Sequence, residues 1–147
     1  MRVKDWMTPS PITVPPDMAV FRARQLMQER HVRHLPVTER AELVGIVTDR
    51  DVRLNLPSPA TSLSVWEVKY VLARLTVGEI MTRTVITVGA DRDIAAATRL
   101  MLAHTIGALP VMEDGRFVGI ITETDLLRAF LHTQEAPGMP RVGVAPR

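Results

Sequence analysis

The chain has 147 residues, 46% of them hydrophobic, with 18 basic against 16 acidic side chains and no cysteine. The lack of Cys excludes disulfides, thiolate nucleophiles and zinc–thiolate sites and fits a reducing compartment. The length suits one compact domain or two small halves sharing a core. A net charge of only +2, with Arg interleaved among acids, argues against the concentrated basic face that nucleic acid requires.

The first residues, MRVKDWMTPS, contain no apolar leader segment, and no run approaches the roughly 18 apolar residues that cross a bilayer, so a soluble, cytoplasmic chain is expected. Ile12–Val14 is a short β-rich run. Pro15-Pro16-Asp17 then supplies turn chemistry that can start a helix. Val20, Ala23, Leu26 and Met27 share one helical face while Arg22, Gln25 and Glu29 fall elsewhere, which predicts a helix with one buried side. Leu35–Val37 and Leu43–Val47 read as two strands around Glu39-Arg40-Ala41, a poor turn signal. A second helix opens at the Thr-x-x-Asp step of GIVTDRD, Thr48 to Asp51.

Leu56-Pro57-Ser58-Pro59 breaks structure. Ser64-Val65-Trp66-Glu67 has the form of a capping box and predicts a helix to about Leu75, with Val65, Val68, Val71, Leu72 and Leu75 as an apolar stripe for core packing or a subunit contact. The elements then recur: Ile86–Val88, turn residues Gly89-Ala90-Asp91, a helical face of Ile94, Ala97, Leu100 and Met101, and strands at Leu109–Met112 and Phe117–Ile121 around the clear turn Glu113-Asp114-Gly115. A final helix opens at GIITETD, Thr122 to Asp125. Shifted by 74 residues without a gap, Met7–Arg53 matches Met81–Leu127 at 18 of 47 positions, where chance would give about three. Duplication therefore organises the chain. The expected parts are a first repeat over 1–56, a linker with a helix over 57–76, a second repeat over 77–131 and a disordered tail over 132–147. The fold class is α/β, each repeat β-α-β-β-α, with the two packed sheet to sheet about a pseudo-twofold axis because 47 residues rarely enclose a core alone.

The repeated Thr-x-x-Asp step has two physical readings. In one it is a helix cap: the Thr hydroxyl accepts from a first-turn N–H and the Asp complements the positive helix end, an arrangement worth about 1 kcal/mol. In the other, free N–H groups, the Thr hydroxyl and a carboxylate able to accept from both ribose hydroxyls are the parts of a nucleotide site. His31 and His34 sit three apart, but no third ligand accompanies them and no metal site is expected. The usual phosphate loops and the nucleophile elbow are absent and no further acid–base pair stands out, so catalysis is not expected.

The doubled pattern of ITV, LPV and G-[IV]-[IV]-T-x-x-D resembles a tandem pair of cystathionine-β-synthase (CBS) domains, a Bateman module, over about Val3 to Leu131. The stretch SPATSLSVWEVKYVLARLTV is similar to the inter-domain segment of acetoin-utilisation-type CBS proteins. The resemblance implies a regulatory module that binds an adenine nucleotide or related adenosyl ligand (AMP, ADP, ATP, S-adenosylmethionine or NAD) in the inter-repeat cleft and signals to an unidentified protein by conformational change. It also implies a homodimer.

Each site would take Thr and Asp from one repeat and an adenine pocket from the other. Thr48 and Asp51, with charge from Arg50, would face Thr84, Ile86, Ile106, Gly107 and Ala108; Thr122 and Asp125 would face Ser10, Ile12, Val32, Arg33 and His34. Arg33 and His34 make the second of these the better candidate for a phosphorylated ligand, with Asp125 and Arg33 as the coupling pair. The other readings are a structural or interaction module with empty clefts and, last, an enzyme.

Overall fold

The computed structural model describes residues 1–56 and 62–135; the expected break at Pro57-Ser58-Pro59 and positions 136–147 of the expected disordered tail lie outside them. The first residues of that expected tail, 132–134, are instead the end of a helix over Glu123–Gln134, which the Glu135 N–H closes on the Leu131 carbonyl at 3.0 Å. Two compact units are present, each with its own sheet and helices. One comprises Ser10–Ile86 with Gly115–Phe117, the other Met1–Pro9, Thr87–Asp114 and Val118 onward.

In the first of these units, α2 (Val20–Arg30) buries Val20, Ala23 and Met27, three members of the helical face read from the sequence. It ends at His31 in the left-handed conformation, φ 53°. Strands β2 (His34–Glu39) and β3 (Glu42–Thr48) pair antiparallel, with a register shift between Val37 and Thr38. Val14 joins β2 through one parallel bridge to Val37, so the predicted strand at Ile12–Val14 shrinks to a single pairing. The pairing is brief because Pro15 and Pro16, which follow at once, donate no N–H to a ladder. On the other edge Thr82 exchanges both backbone hydrogen bonds with Ile46, at 2.9 and 3.0 Å. The core is Val14, Val20, Ala23, Met27, Leu35, Val37, Val47, Val52, Val77 and Met81.

The other unit repeats this plan. Helix α6 (Ile94–His104) is capped by Asp93, whose carboxylate accepts from Ala95 N–H at 2.8 Å. That bond, the first of several favourable contacts, holds the Asp93 carboxyl below its ordinary range. The four-stranded sheet runs β1 (Thr8–Pro9), β6 (Arg116–Thr122), β5 (Ala108–Glu113), β4 (Val88–Gly89), with β4 parallel to β5. The predicted strand at Ile86–Val88 is thus displaced to Val88–Gly89.

Two four-residue helical turns escape the sequence reading: α1 (Val3–Trp6) and α5 (Val77–Ile80), related by the same shift of 74. Each buries its valine. Val3 and Lys4 donate to the carbonyls of Arg92 and Ala90, and Val77 and Gly78 donate to those of Met18 and Pro16. Each unit therefore combines the body of one repeat with the leading turn of the other. Lys4 also holds Asp91 at 2.9 Å, and that hydrogen bond, reinforced by charge, lowers the Asp91 carboxyl and raises the Lys4 ammonium.

Helix α4 (Val65–Arg74) is capped by Ser64 with Glu67 in the predicted box. Its apolar stripe is only partly used. Val68 and Leu75 pack on the core, whereas Val65 is 70% exposed and Val71 is also exposed, because the helix lies against α2 along one narrow side. The side chain of Leu72 is outside the described set.

The turn of the β2–β3 hairpin is Arg40–Ala41, with φ of 51° and 65°, and that of β5–β6 is Asp114–Gly115, with φ of 50° and 74°. Two consecutive positive φ values follow the pattern of a type I′ turn, which favours Asn or Asp followed by Gly. Ala41 bears a Cβ where that conformation costs about 1–2 kcal/mol. Replacing Arg40→Asn together with Ala41→Gly should stabilise the chain by about 1 kcal/mol, read as a rise of roughly 2–4 °C in melting temperature. An unchanged or lowered melting point would contradict this reading of the turn.

Candidate functional site

Both Thr-x-x-Asp steps sit where a core strand runs into a helix. In the first repeat, β3 ends at Thr48, which caps α3 (Asp49–Leu54). Asp51 N–H donates to Thr48 Oγ1 at 3.1 Å, and Thr48 N–H donates to Asp51 Oδ2 at 2.8 Å, a reciprocal capping box. Asp51 is half-buried, and Oδ1 takes no part in the box.

In the second repeat, β6 ends at Thr122 at the start of α7 (Glu123–Gln134). Thr122 N–H donates to Asp125 Oδ2 at 2.8 Å, and the Thr122 hydroxyl donates to the same oxygen at 3.1 Å. Asp125 is only 6% exposed, the one buried charged residue among those described. Its Oδ1 faces Arg128 Nη1 at 3.5 Å.

The loop before each hairpin closes onto these helix starts. Asp49 N–H donates to the Arg33 carbonyl at 2.9 Å, and Glu123 N–H donates to the Gly107 carbonyl at 3.0 Å. His34 is the strand partner of Thr48. Within one unit, therefore, Arg33 and His34 stand beside Thr48 and Asp51, and within the other Gly107 stands beside Thr122 and Asp125. This reverses the expected grouping, which set Arg33 and His34 against Asp125 and Gly107 against Asp51: the loop before each hairpin bonds to the helix that its own hairpin feeds, so the basic pair belongs with Asp51 and Asp125–Arg33 is not the coupling pair. Both loops follow a left-handed residue, His31 or Thr105 (φ 53° and 52°), after which Val32 and Ile106 N–H groups return to Met27 and Met101 carbonyls at 3.0 Å. Such a C-terminal reversal usually employs Gly or Asn. The β-branched Thr105 is a costlier occupant.

Of the remaining expected residues, Ser10 is exposed in a left-handed conformation with φ 45°, Ile12, Val32, Ile86, Ile106 and Gly107 are half-buried, Ala108 is buried, and Thr84, Arg33 and Arg50 are exposed. Arg53 pairs with Asp49 at 3.2 Å. Arg128 is the feature the sequence reading missed; its spacing of three from Asp125 on a helix was the available signal. Among the described residues no group of three or more His, Cys, Asp or Glu is placed to hold a metal, and no helix is long and apolar enough to cross a membrane.

The family model described as CBS domain matches residues 3–58 and 77–132. The chain belongs to the CBS-domain family. It is 30% identical to the Bacillus subtilis (strain 168) CBS domain-containing protein YhcV over 124 residues, covering 84% of this chain and 81% of that one.

A Thermofilum pendens protein described as an uncharacterized 33.4 kDa protein in a ribosomal RNA operon is 36% identical over 138 residues, 86% of this chain but only 43% of that one. The chain thus spans less than half of that relative. Among solved structures, it resembles the CBS domain pair of protein MJ0100 in complex with 5′-methylthioadenosine and S-adenosyl-L-methionine, with TM-score 0.74, 29% identity and coverage of 90% and 98%. It also resembles CBSX2 in complex with AMP, with TM-score 0.76, 32% identity and coverage of 91% and 99%. An AcuB homologue from Vibrio cholerae matches with TM-score 0.75, 27% identity and coverage of 92% and 93%, in keeping with the acetoin-type resemblance of the middle segment.

Proposed function

We propose that this CBS pair is a regulatory module, not an enzyme, that binds an adenine nucleotide or related adenosyl ligand and passes the event to another protein by a change of conformation. The observation that carries the proposal is the paired Thr48–Asp51 and Thr122–Asp125 arrangement at equivalent strand ends. The three ligands named for MJ0100 and CBSX2, all built on adenosine, support the choice of ligand class.

In this reading each ligand draws on both repeats. Thr48, Arg50 and Asp51 act with Val32, Arg33 and His34, their neighbours through the Asp49–Arg33 and Thr48–His34 pairings, and with Thr84 and Ile86 of the second repeat; Thr122 and Asp125 act with Ile106, Gly107 and Ala108, reached through the Glu123–Gly107 hydrogen bond, and with Ser10 and Ile12 of the first repeat. A ligand that touches residues of both repeats can favour one arrangement of them over another, which is the requirement for signalling. A cytoplasmic homodimer belongs to the same proposal; a monomer by light scattering at micromolar concentration would remove that part.

The completeness of the capping boxes favours a second reading, in which the Thr and Asp side chains act as caps alone and the module is a structural or interaction element. Thermal melting separates the two. A ligand at about 100 times its dissociation constant adds about 2.7 kcal/mol of stability. AMP or S-adenosylmethionine should raise the melting temperature by several degrees; no shift with either would favour the cap-only reading.

A further inference from the structure

We propose that Arg128 gates the Asp125 carboxylate, closing the second repeat's ribose position with an internal cation that the first repeat lacks; this rests on the adenosyl-binding reading above. Asp125 Oδ2 already accepts twice, from the Thr122 N–H at 2.8 Å and the Thr122 hydroxyl at 3.1 Å. A carboxylate oxygen has two lone-pair sites, so Oδ2 is saturated and a ribose hydroxyl must address Oδ1. Oδ1 is the atom that faces Arg128 Nη1, at 3.5 Å.

The pairing satisfies a carboxylate that is nine-tenths buried and otherwise has one oxygen uncompensated. It is also easily opened. The guanidinium is 69% exposed and approaches with one nitrogen at long range, so water can take it over when a ligand arrives.

Among the described residues no cation pairs with Asp51 in the first repeat, where Arg33 and Arg50 are exposed. The residue three beyond Asp51 is Leu54, 71% exposed, and the neighbouring Arg53 is engaged by Asp49 at 3.2 Å. An uncharged adenosyl ligand must therefore displace a cation at Asp125 but not at Asp51. A partly exposed ion pair weakens as salt rises, so a neutral ligand should bind the Asp125 position more tightly at higher salt.

Adenosine is the probe, titrated calorimetrically at about 0.03 M and 0.3 M salt into Asp51→Ala, which silences the first repeat, and into Asp51→Ala with Arg128→Leu. The Arg128→Leu chain should bind about two- to five-fold more tightly at low salt. Its affinity should not respond to salt, whereas the parent should tighten as salt rises. The mirror variant, Leu54→Arg in the otherwise native chain, should weaken adenosine at the first repeat by a similar factor and introduce the same salt response; it answers the question should Asp51→Ala not fold. Equal or weaker binding after Arg128→Leu, with the parent's salt response intact, overturns the gate while leaving adenosyl binding in place. Failure of the native chain to bind adenosine while it binds AMP overturns the gate alone; failure to bind adenosine and all of AMP, ADP, ATP, S-adenosylmethionine and NAD overturns the adenosyl reading and the gate with it.

Discussion

Gly119→Ala should destabilise the chain by about 1–3 kcal/mol, the usual cost of forcing an extra methyl group into a closed contact. A Cβ at Gly119 would lie 2.6 Å from the Met7 sulfur and 2.8 Å from the Thr8 carbonyl oxygen. The sulfur can move, but the carbonyl belongs to β1, which pairs with β6 at Thr8↔Ile120. Relief therefore requires β1 and β6 to separate. Gly45 has the same surroundings from Met81 and Thr82, at 2.5 and 3.0 Å, and Gly45→Ala should behave alike with a smaller loss.

Gly89→Ala is the control, since its new methyl group would meet only the flexible Arg92 side chain at 3.2 Å. At this length each kcal/mol lowers the melting temperature by roughly 2–4 °C. A Gly119→Ala chain melting with the Gly89→Ala control would contradict the packing described here. The consequence reaches function because β6 runs from Gly119 through Ile120 and Ile121 to Thr122, so a displaced strand carries the capping box with it.

The second large effect concerns ligand binding. Asp51→Ala with Asp125→Ala should abolish measurable AMP binding, because each carboxylate is assigned the bonds to a ribose, and hydrogen bonds to a charged group are worth about 1.5–3 kcal/mol, or ten- to hundred-fold. The same substitutions remove the side chains that accept from Thr48 and Thr122 N–H groups, at a further cost of about 1 kcal/mol of stability at each helix.

Asp51→Asn with Asp125→Asn separates the two roles. The amide keeps an oxygen for the Thr N–H but loses the charge, so folding measured by circular dichroism should survive while affinity for AMP falls. Undiminished AMP affinity in either folded double variant would remove the assigned site.

Much of the fold was legible because it is written twice. The shift of 74 residues located the helices α2 and α6, the two hairpins and both capping boxes, since these depend on local periodicity and on residues three or four apart. Contacts between distant parts of the chain were not legible. Val3 and Lys4 find their partners at Arg92 and Ala90, and nothing in a four-residue run such as VKDW announces a helical turn fixed from so far away. Gly45 and Gly119 read as members of a motif, but the backbones that make them necessary, at Thr82 and Thr8, are visible only in the folded chain.

The turn at Arg40–Ala41 was obscured because neither residue favours the conformation it adopts. The α4 stripe was legible as an apolar face but not in how it is used: Val68 and Leu75 pack on the core while Val65 and Val71 stay exposed, because periodicity shows that burial is possible and not which residues are covered. At the site, the sequence placed Thr48, Asp51, Thr122 and Asp125 correctly at their helix starts, while the cation at Arg128 became evident only with its distance to Asp125.

Isothermal titration of the native chain with AMP, ADP, ATP, S-adenosylmethionine and NAD tests the regulatory-module reading most directly. Saturable binding of at least one of these, lost in the folded Asp51→Asn with Asp125→Asn chain, is the expected result. Absence of binding for all five at about 1 mM, an affinity limit near −4.1 kcal/mol, would contradict it.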